Sequence, residues 1–307
     1  MNDQINDQIN DQTSDQTPAR FDPIAYRAEQ LATWDAGAPA WDRWHDTIET
    51  WFAPLTTRLL ELAAVRPGQH VLDVGTGYGE PALSAARAVG PGGRVLGIDV
   101  SPAMLEVARR RARGRSGIRY AEMDIEALDQ PGRFDAVLSR LGLMFAVDRV
   151  AALGAIRRAL VPGGVLAAAV WGPPARHLVS QPAAQLVARL ALPAPPPGTP
   201  GPFSMSDATR LAGELAAAGL VDVSVTELVA PVRFRSVDEL VRFHREALPP
   251  PILAAVRDRF GSQDAPDAWA LLAEAARPHV GPDGAVSLPS VALCARAAAP
   301  PMGHPGQ

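Results

Sequence analysis

The chain has 307 residues, 47% apolar and 20% charged, with a net charge of −4. That apolar share suffices for a sizeable core, and the acidic balance argues against a surface built to follow a phosphate backbone. A single cysteine, Cys294, excludes an internal disulfide framework and a cysteine-rich metal site, and its apolar run Val291–Ala295 predicts a buried, inert thiol.

The chain opens on tandem polar tetrads, Asn2-Asp-Gln-Ile5 through Ser14-Asp-Gln-Thr17. Such tetrads bury too little surface to offset their ordering entropy, so disorder is expected over 1–17. They lack the basic start and apolar core of a signal peptide, and no run of about 18 apolar residues follows, which predicts a cytoplasmic protein without a membrane span. A helical cap is expected over 18–64. Within it Trp41, Trp44, Ile48, Trp51, Phe52, Leu55, Leu59 and Leu62 keep helical spacing, with Pro54 expected to split the run into two helices.

A βα alternation then begins. The expected strands are His70–Val74, Arg94–Asp99, Ile118–Ala121, Phe134–Leu138 and Val165–Trp171, with helices Pro81–Val89, Pro102–Arg113 and Arg149–Leu160 between them. This rhythm argues an α/β core over 65–171, with a parallel sheet and helices on both faces. Ser101-Pro102 reads as a helix N-cap, and Val161-Pro-Gly-Gly164 as a helix stop ahead of the next strand. Beyond Trp171 the chain turns proline-rich, including Pro195-Pro-Pro197, which predicts a lid or acceptor-binding region over 172–284. Two long strands, Val221–Val232 and about 285–298, are expected to lie antiparallel at one sheet edge, with a helical insertion near 236–277 between them. A disordered tail is expected over 299–307.

The densest signal is Val71-Leu-Asp-Val-Gly-Thr-Gly-Tyr-Gly-Glu80. A strand ends in Asp73 and runs into glycines at alternate positions, where main chain can approach a ligand at the sheet's carboxyl edge. The spacing is not the G-x-G-x-x-G of nicotinamide dehydrogenases, which disfavours an oxidoreductase. It resembles the first motif of class I S-adenosylmethionine-dependent methyltransferases. Further matches follow: Asp99 closing Val95-Leu-Gly-Ile-Asp99, Asp124 in Tyr120-Ala-Glu-Met-Asp-Ile-Glu126, and Phe134-Asp-Ala-Val-Leu-Ser-Arg140. Together these segments look closest to bacterial ubiquinone/menaquinone-type and natural-product enzymes.

The resemblance implies a Rossmann-like doubly wound seven-stranded sheet in the order 3-2-1-4-5-7-6, last strand antiparallel, and S-adenosyl-L-methionine as cofactor. It implies that Asp73, Gly75, Gly77 and Gly79 meet the methionine end. Asp99 would accept from the ribose diol, with Val100 and Met104 beside the adenine. Asp124 and Ile125 would meet the adenine edge, and Ser139 and Arg140 would stand where cofactor and acceptor meet. The chain lacks the Asn/Asp-Pro-Pro-Tyr signature of enzymes that methylate amide or base nitrogens. It also lacks the paired-glutamate hairpin of protein-arginine enzymes. Both absences point to a small-molecule acceptor, and transfer to oxygen or carbon of an apolar, aromatic or isoprenoid metabolite, in secondary metabolism, is the expectation. A second reading keeps the fold for a non-methylating step or for ligand binding.

Tyr26, Trp34, Trp44 and Trp171 are the candidate acceptor-side residues. His177 is the first choice of general base, ahead of His45 and His244. The Arg109–Arg115 cluster closes a helix, where cations meet the helix dipole, and gives no reason to expect nucleic acid. No metal-ligand spacing is present.

Overall fold

The computed structural model describes residues 20–192 and 195–302; the polar tetrads of 1–17 lie outside the described residues. Helices α1 (Pro23–Arg43) and α2 (His45–Leu62) come first. The Asp22 carboxylate starts α1 by accepting from the Ile24 and Ala25 N–H groups, and Pro23 supplies the fixed φ of a first helical position. The helical break falls at Trp44, not at the expected Pro54, which sits inside α2. A proline within a helix costs about 3 kcal/mol. The buried face of Ile48, Trp51, Phe52, Leu55 and Leu59 outweighs that cost at roughly 1.5–3 kcal/mol per side chain.

The alternation follows as β1 (His70–Val74), α3 (Ala82–Val89), β2 (Arg94–Asp99), α4 (Pro102–Arg111), β3 (Ile118–Glu122), β4 (Phe134–Arg140), α5 (Arg149–Ala159) and β5 (Leu160–Trp171). Val161-Pro-Gly-Gly164 belongs to the first part of β5 instead of preceding it, with Gly163 at φ 75°. Helices α6 (Gln181–Leu190) and α7 (Ala208–Ala217) lead to β6 (Val221–Phe234). The insertion forms α8 (Val237–Ala247), α9 (Pro250–Phe260) and α10 (Pro266–Ala276), and β7 (Val286–Ala298) closes the sheet.

The sheet order is β3-β2-β1-β4-β5-β7-β6. The first five strands are parallel, and β7 runs antiparallel to both β5 and β6. Cys294 pairs with Ala169 across this junction; it is buried, and burial pushes its thiol up to about 11. Ala299, expected to begin a disordered tail, is instead buried, and its N–H donates to the Gly164 carbonyl at 2.8 Å, extending the β5–β7 ladder; residues 303–307 lie outside the described residues.

Asp73 lies level with Gly97 and Leu138, so β1, β2 and β4 end at the same edge. Strand order reverses between β1 and β4, which opens a crevice there. Helix α1 packs on α4, α8 and α9, and α10 packs on α6 and α8, so the lid helices and the amino-terminal helices roof this edge together.

Candidate active site

The glycine loop is held from below. Gly75 and Gly77 take φ of 68° and 53°, conformations that side chains resist. A Cβ at Gly75 would stand 2.9 Å from the Gly142 Cα, so the loops after β1 and β4 touch main chain to main chain. The Gly77 N–H donates to Asp99 Oδ2 at 2.8 Å, and the Ser101 N–H to Oδ1 at 2.9 Å. Burial raises the Asp99 carboxyl, and these amides partly offset the shift.

Three of the expected cofactor residues stand behind the loop, outside the cavity lining. Asp73 is fully buried; its Oδ2 accepts from the Ala82 N–H at the start of α3 (3.0 Å), and burial pushes its carboxyl up to about 7. Its position makes it a fastener of the loop. Gly79 backs onto Ala108 and the Tyr120 hydroxyl. Ser139 donates to the Val74 carbonyl at 3.0 Å, because strand alternation turns it away from the side that Arg140 faces.

One cavity of about 530 Å³ joins the remaining groups. One wall carries Gly75, Gly77, Asp99, Met104, Asp124 and Ile125, with Val100 at its rim. The other carries Tyr26, Trp34, Trp41, Phe52, Trp171 and Phe243. Trp41 stands 5.9 Å from Trp34 and 5.7 Å from Tyr78, ring centre to ring centre.

On the cavity lining Arg140, named from its motif, centres a buried polar cluster whose other members, Glu49, Thr56 and Tyr78, motif reading missed. The Arg140 guanidinium donates to Glu49 Oε1 (2.8 Å), Thr56 Oγ1 (2.7 Å) and the Tyr78 hydroxyl (2.7 Å), and lies 5.1 Å from the Phe52 ring centre. Tyr78 in turn donates to Glu49. Burial alone would raise the Glu49 carboxyl, but Arg140 and the hydrogen bonds outweigh it and hold it below its ordinary value. Glu49 and Thr56 lie on α2, remote in sequence from β4, so no local spacing announces the cluster.

Helix α1 is strapped across the first wall. Arg27 pairs with Asp124 (3.5 Å) and Glu126, and Asp35 accepts from Ser101 Oγ at 2.6 Å. Two arginines of the 109–115 cluster, Arg110 and Arg111, pair with Asp42 of α1. Trp44 and His177 lie outside the cavity lining. Trp44 fills the joint between α1 and α2, donating to Glu246 at 2.9 Å, and His177 is sealed behind Trp171. His45 is half-buried outside the cavity, whereas His244 lines it.

The first wall suits S-adenosylmethionine. Asp99 has carboxylate lone pairs to spare beyond its two amide contacts, as a diol requires. Apolar Val100, Met104 and Ile125 line the same cavity as Asp99 and Asp124, the character a purine face needs. Sheet order, glycine loop and strand-end acids define the class: the core is that of a class I S-adenosylmethionine-dependent methyltransferase. Residues 71–164 match the family described as a methyltransferase domain.

The chain is 40% identical over 119 residues to a demethylmenaquinone methyltransferase of Thermus thermophilus, covering 38% of this chain and 54% of the relative. It is 35% identical over 146 residues to the aklanonic acid methyltransferase DauC of a Streptomyces species, covering 47% and 65%. It thus spans between about half and two thirds of the curated relatives it matches. The YcgJ protein of Bacillus subtilis shares the fold, at a TM-score of 0.52 and 19% identity over 81% of this chain and 98% of that one.

Proposed function

We propose that the chain transfers the methyl group of S-adenosylmethionine to oxygen or carbon of an apolar aromatic or isoprenoid small molecule, in secondary metabolism. The observation that carries this reading is the continuity of one cavity from the Asp99–Asp124 wall to the aromatic wall. The names of both relatives carry a small organic acceptor, demethylmenaquinone and aklanonic acid, which supports the acceptor class.

When bound, the cofactor supplies a methyl group already activated on a sulfonium. The protein's task is then alignment and exclusion of water, worth roughly 7–11 kcal/mol when orientation is good. Asp99 accepts from the ribose hydroxyls, Val100, Met104 and Ile125 enclose the adenine, and Asp124 accepts from its amino group. The Gly75–Gly77 turn, its own amides spent on Ile98 and Asp99, brings bare main chain up to the methionine end. Arg140, fixed by Glu49 and Tyr78, stiffens the junction with the acceptor. Helices α1 and α2 and the lid helices α6 and α8–α10 supply the roof that keeps water out.

Calorimetric titration with S-adenosylmethionine, S-adenosylhomocysteine and NADH tests the reading. Micromolar binding of the first two, with no heat from NADH, is the expected result. Binding of NADH alone would overturn it.

A further inference from the structure

From Trp171 onward the cavity wall is apolar, formed by Val179, Ala183, Pro202, Phe243 and Leu248 among others. Besides the Trp171 indole, the polar side chains on this stretch are Ser180 and His244, among the described residues. His244 is spent on the walls: Nδ1 faces the Leu240 carbonyl at 2.9 Å and Nε2 the Val179 carbonyl at 3.2 Å. Ser180 differs. Its hydroxyl donates to the His177 carbonyl at 2.9 Å, and the same Oγ lies 3.0 Å from His177 Nδ1.

His177 is 6% exposed as a residue, and its ring is boxed by Trp171, Phe203 and Trp51, with ring centres at 4.3, 5.3 and 6.1 Å. Its Nε2 is sealed without a hydrogen-bond partner. A lone pair at Nε2 would face the electron-rich rings unsatisfied, whereas an N–H there is attracted to them. The box therefore favours the tautomer with the proton on Nε2. That leaves the Nδ1 lone pair facing Ser180 Oγ, whose one proton can turn to it from the His177 carbonyl.

Resting on the methyl-transfer reading, we propose that Ser180, backed by His177, takes the proton that the acceptor loses on methylation. The acceptor's O–H proton passes to Ser180 Oγ as the Ser180 proton passes to His177 Nδ1, leaving an imidazolium. The acceptor oxygen's lone pair forms the new C–O bond while the S–CH3 bond breaks and its electrons stay on sulfur. One positive charge leaves the sulfur and one arrives on the ring, so the charge enclosed by the cavity is unchanged. The proton returns through Ser180 to solvent once the product has left.

Burial lowers His177 to about 4, so the ring is neutral at physiological pH. A base this weak suffices because an oxygen gaining a methyl group is far more acidic than a free hydroxyl. The neighbouring charges turn elsewhere: Arg176 points out to Glu227 at 2.6 Å, and His244 is buried and held low. The acceptor class this implies is one with a dissociable O–H, a phenol or enol, set against the Ser180 wall.

Nitrogen-15 NMR of the histidine-labelled full chain tests the device. The expected result is a neutral His177 carrying its proton on Nε2, with an Nδ1 resonance that moves in Ser180→Ala. A proton on Nδ1 in the native protein would overturn the relay. Calorimetry with S-adenosylhomocysteine on both proteins separates the two readings: absent binding sinks methyl transfer itself, while normal binding with the other tautomer sinks the relay alone. With 1,4-dihydroxynaphthalene as acceptor, Ser180→Ala and His177→Gln should lower kcat at neutral pH by roughly 10²–10⁴-fold, with KM for the cofactor unchanged. The deficit should shrink as pH rises and the phenol ionises unaided. Equal kcat in native and variant proteins would also overturn it.

Discussion

Arg140 at the end of β4 is held at 2.8 Å by Glu49 of α2, so a side chain brought by the sheet is fixed by the helix that roofs it. Arg140 keeps 3% of its side-chain surface exposed and Glu49 21%. The pair ties the amino-terminal helices to the parallel core beside the cavity that Arg140 lines.

Glu49→Gln leaves the Arg140 charge buried without a carboxylate. Removing one partner of a buried pair costs about 3 kcal/mol where, as here, the lost group is partly solvated. The Glu49 carboxyl is held below its ordinary value in the fold. Its contribution is therefore present above the unfolded pKa and lost as pH falls through the folded one. Thermal unfolding at neutral pH should show a lower Tm for the variant, and the gap should narrow in acid.

Asp99→Ala leaves the Gly77 and Ser101 amides unpaired and, in the proposed binding mode, removes the acceptor for the two ribose hydroxyls. Charged hydrogen bonds contribute about 1.5–3 kcal/mol each, so affinity for S-adenosylhomocysteine should fall about 100-fold or more. Near-native affinity by calorimetry would remove Asp99 from the ribose position.

His177 titrates near 4 in the fold, against 6.5 for an unburied imidazole. The unfolded chain therefore binds a proton that the folded one refuses between those values, and stability falls as pH drops from about 6.5 towards 4. The limiting slope is about 1.4 kcal/mol per pH unit for one proton. His177→Phe keeps an aromatic ring in the box and removes the proton, so denaturant midpoints followed across this window should show a shallower acid slope in the variant.

Arg27 straps α1 to Asp124 and Glu126, where the adenine is proposed to bind, with 44% of its own side chain exposed. An exposed pair contributes no more than about 1 kcal/mol. Arg27→Ala should thus speed release of S-adenosylhomocysteine by roughly fivefold at most, and weaken the salt dependence of that rate. Stopped-flow tryptophan fluorescence reads both.

Ala183 of α6 lies on the apolar part of the wall, 7% exposed. Ala183→Trp adds bulk to this apolar part of the wall, proposed to hold the acceptor, and leaves Asp99 and the glycine loop unsubstituted. Methyl transfer should be lost while S-adenosylhomocysteine binding by calorimetry stays native; loss of both would mean that the two ends of the cavity overlap.

What was legible in the sequence lies on strands and the turns that follow them. The run from Val71 to Glu80 combines an apolar strand with glycines that alone tolerate the φ values of this turn, and β2 ends in an aspartate two residues before a helix cap. Such signals are local, because backbone sterics and capping act within a few residues, and they determined the sheet core and placed Gly75, Gly77, Asp99 and Asp124 on one wall. Tertiary structure decided the rest. Ser139 and Arg140 are adjacent in sequence yet face opposite ways, and only packing chose which one meets the cavity. Pro54 should end a helix by its own chemistry, but the buried face of α2 carries the helix through it. Glu49, Thr56 and Tyr78 gather around Arg140 from separate elements, and Ser180 becomes the acceptor wall's hydrogen-bonding group because its neighbours in space are apolar. Contacts between residues far apart in the chain leave no spacing to read, and they form only when burial of the apolar faces brings the helices down onto the sheet.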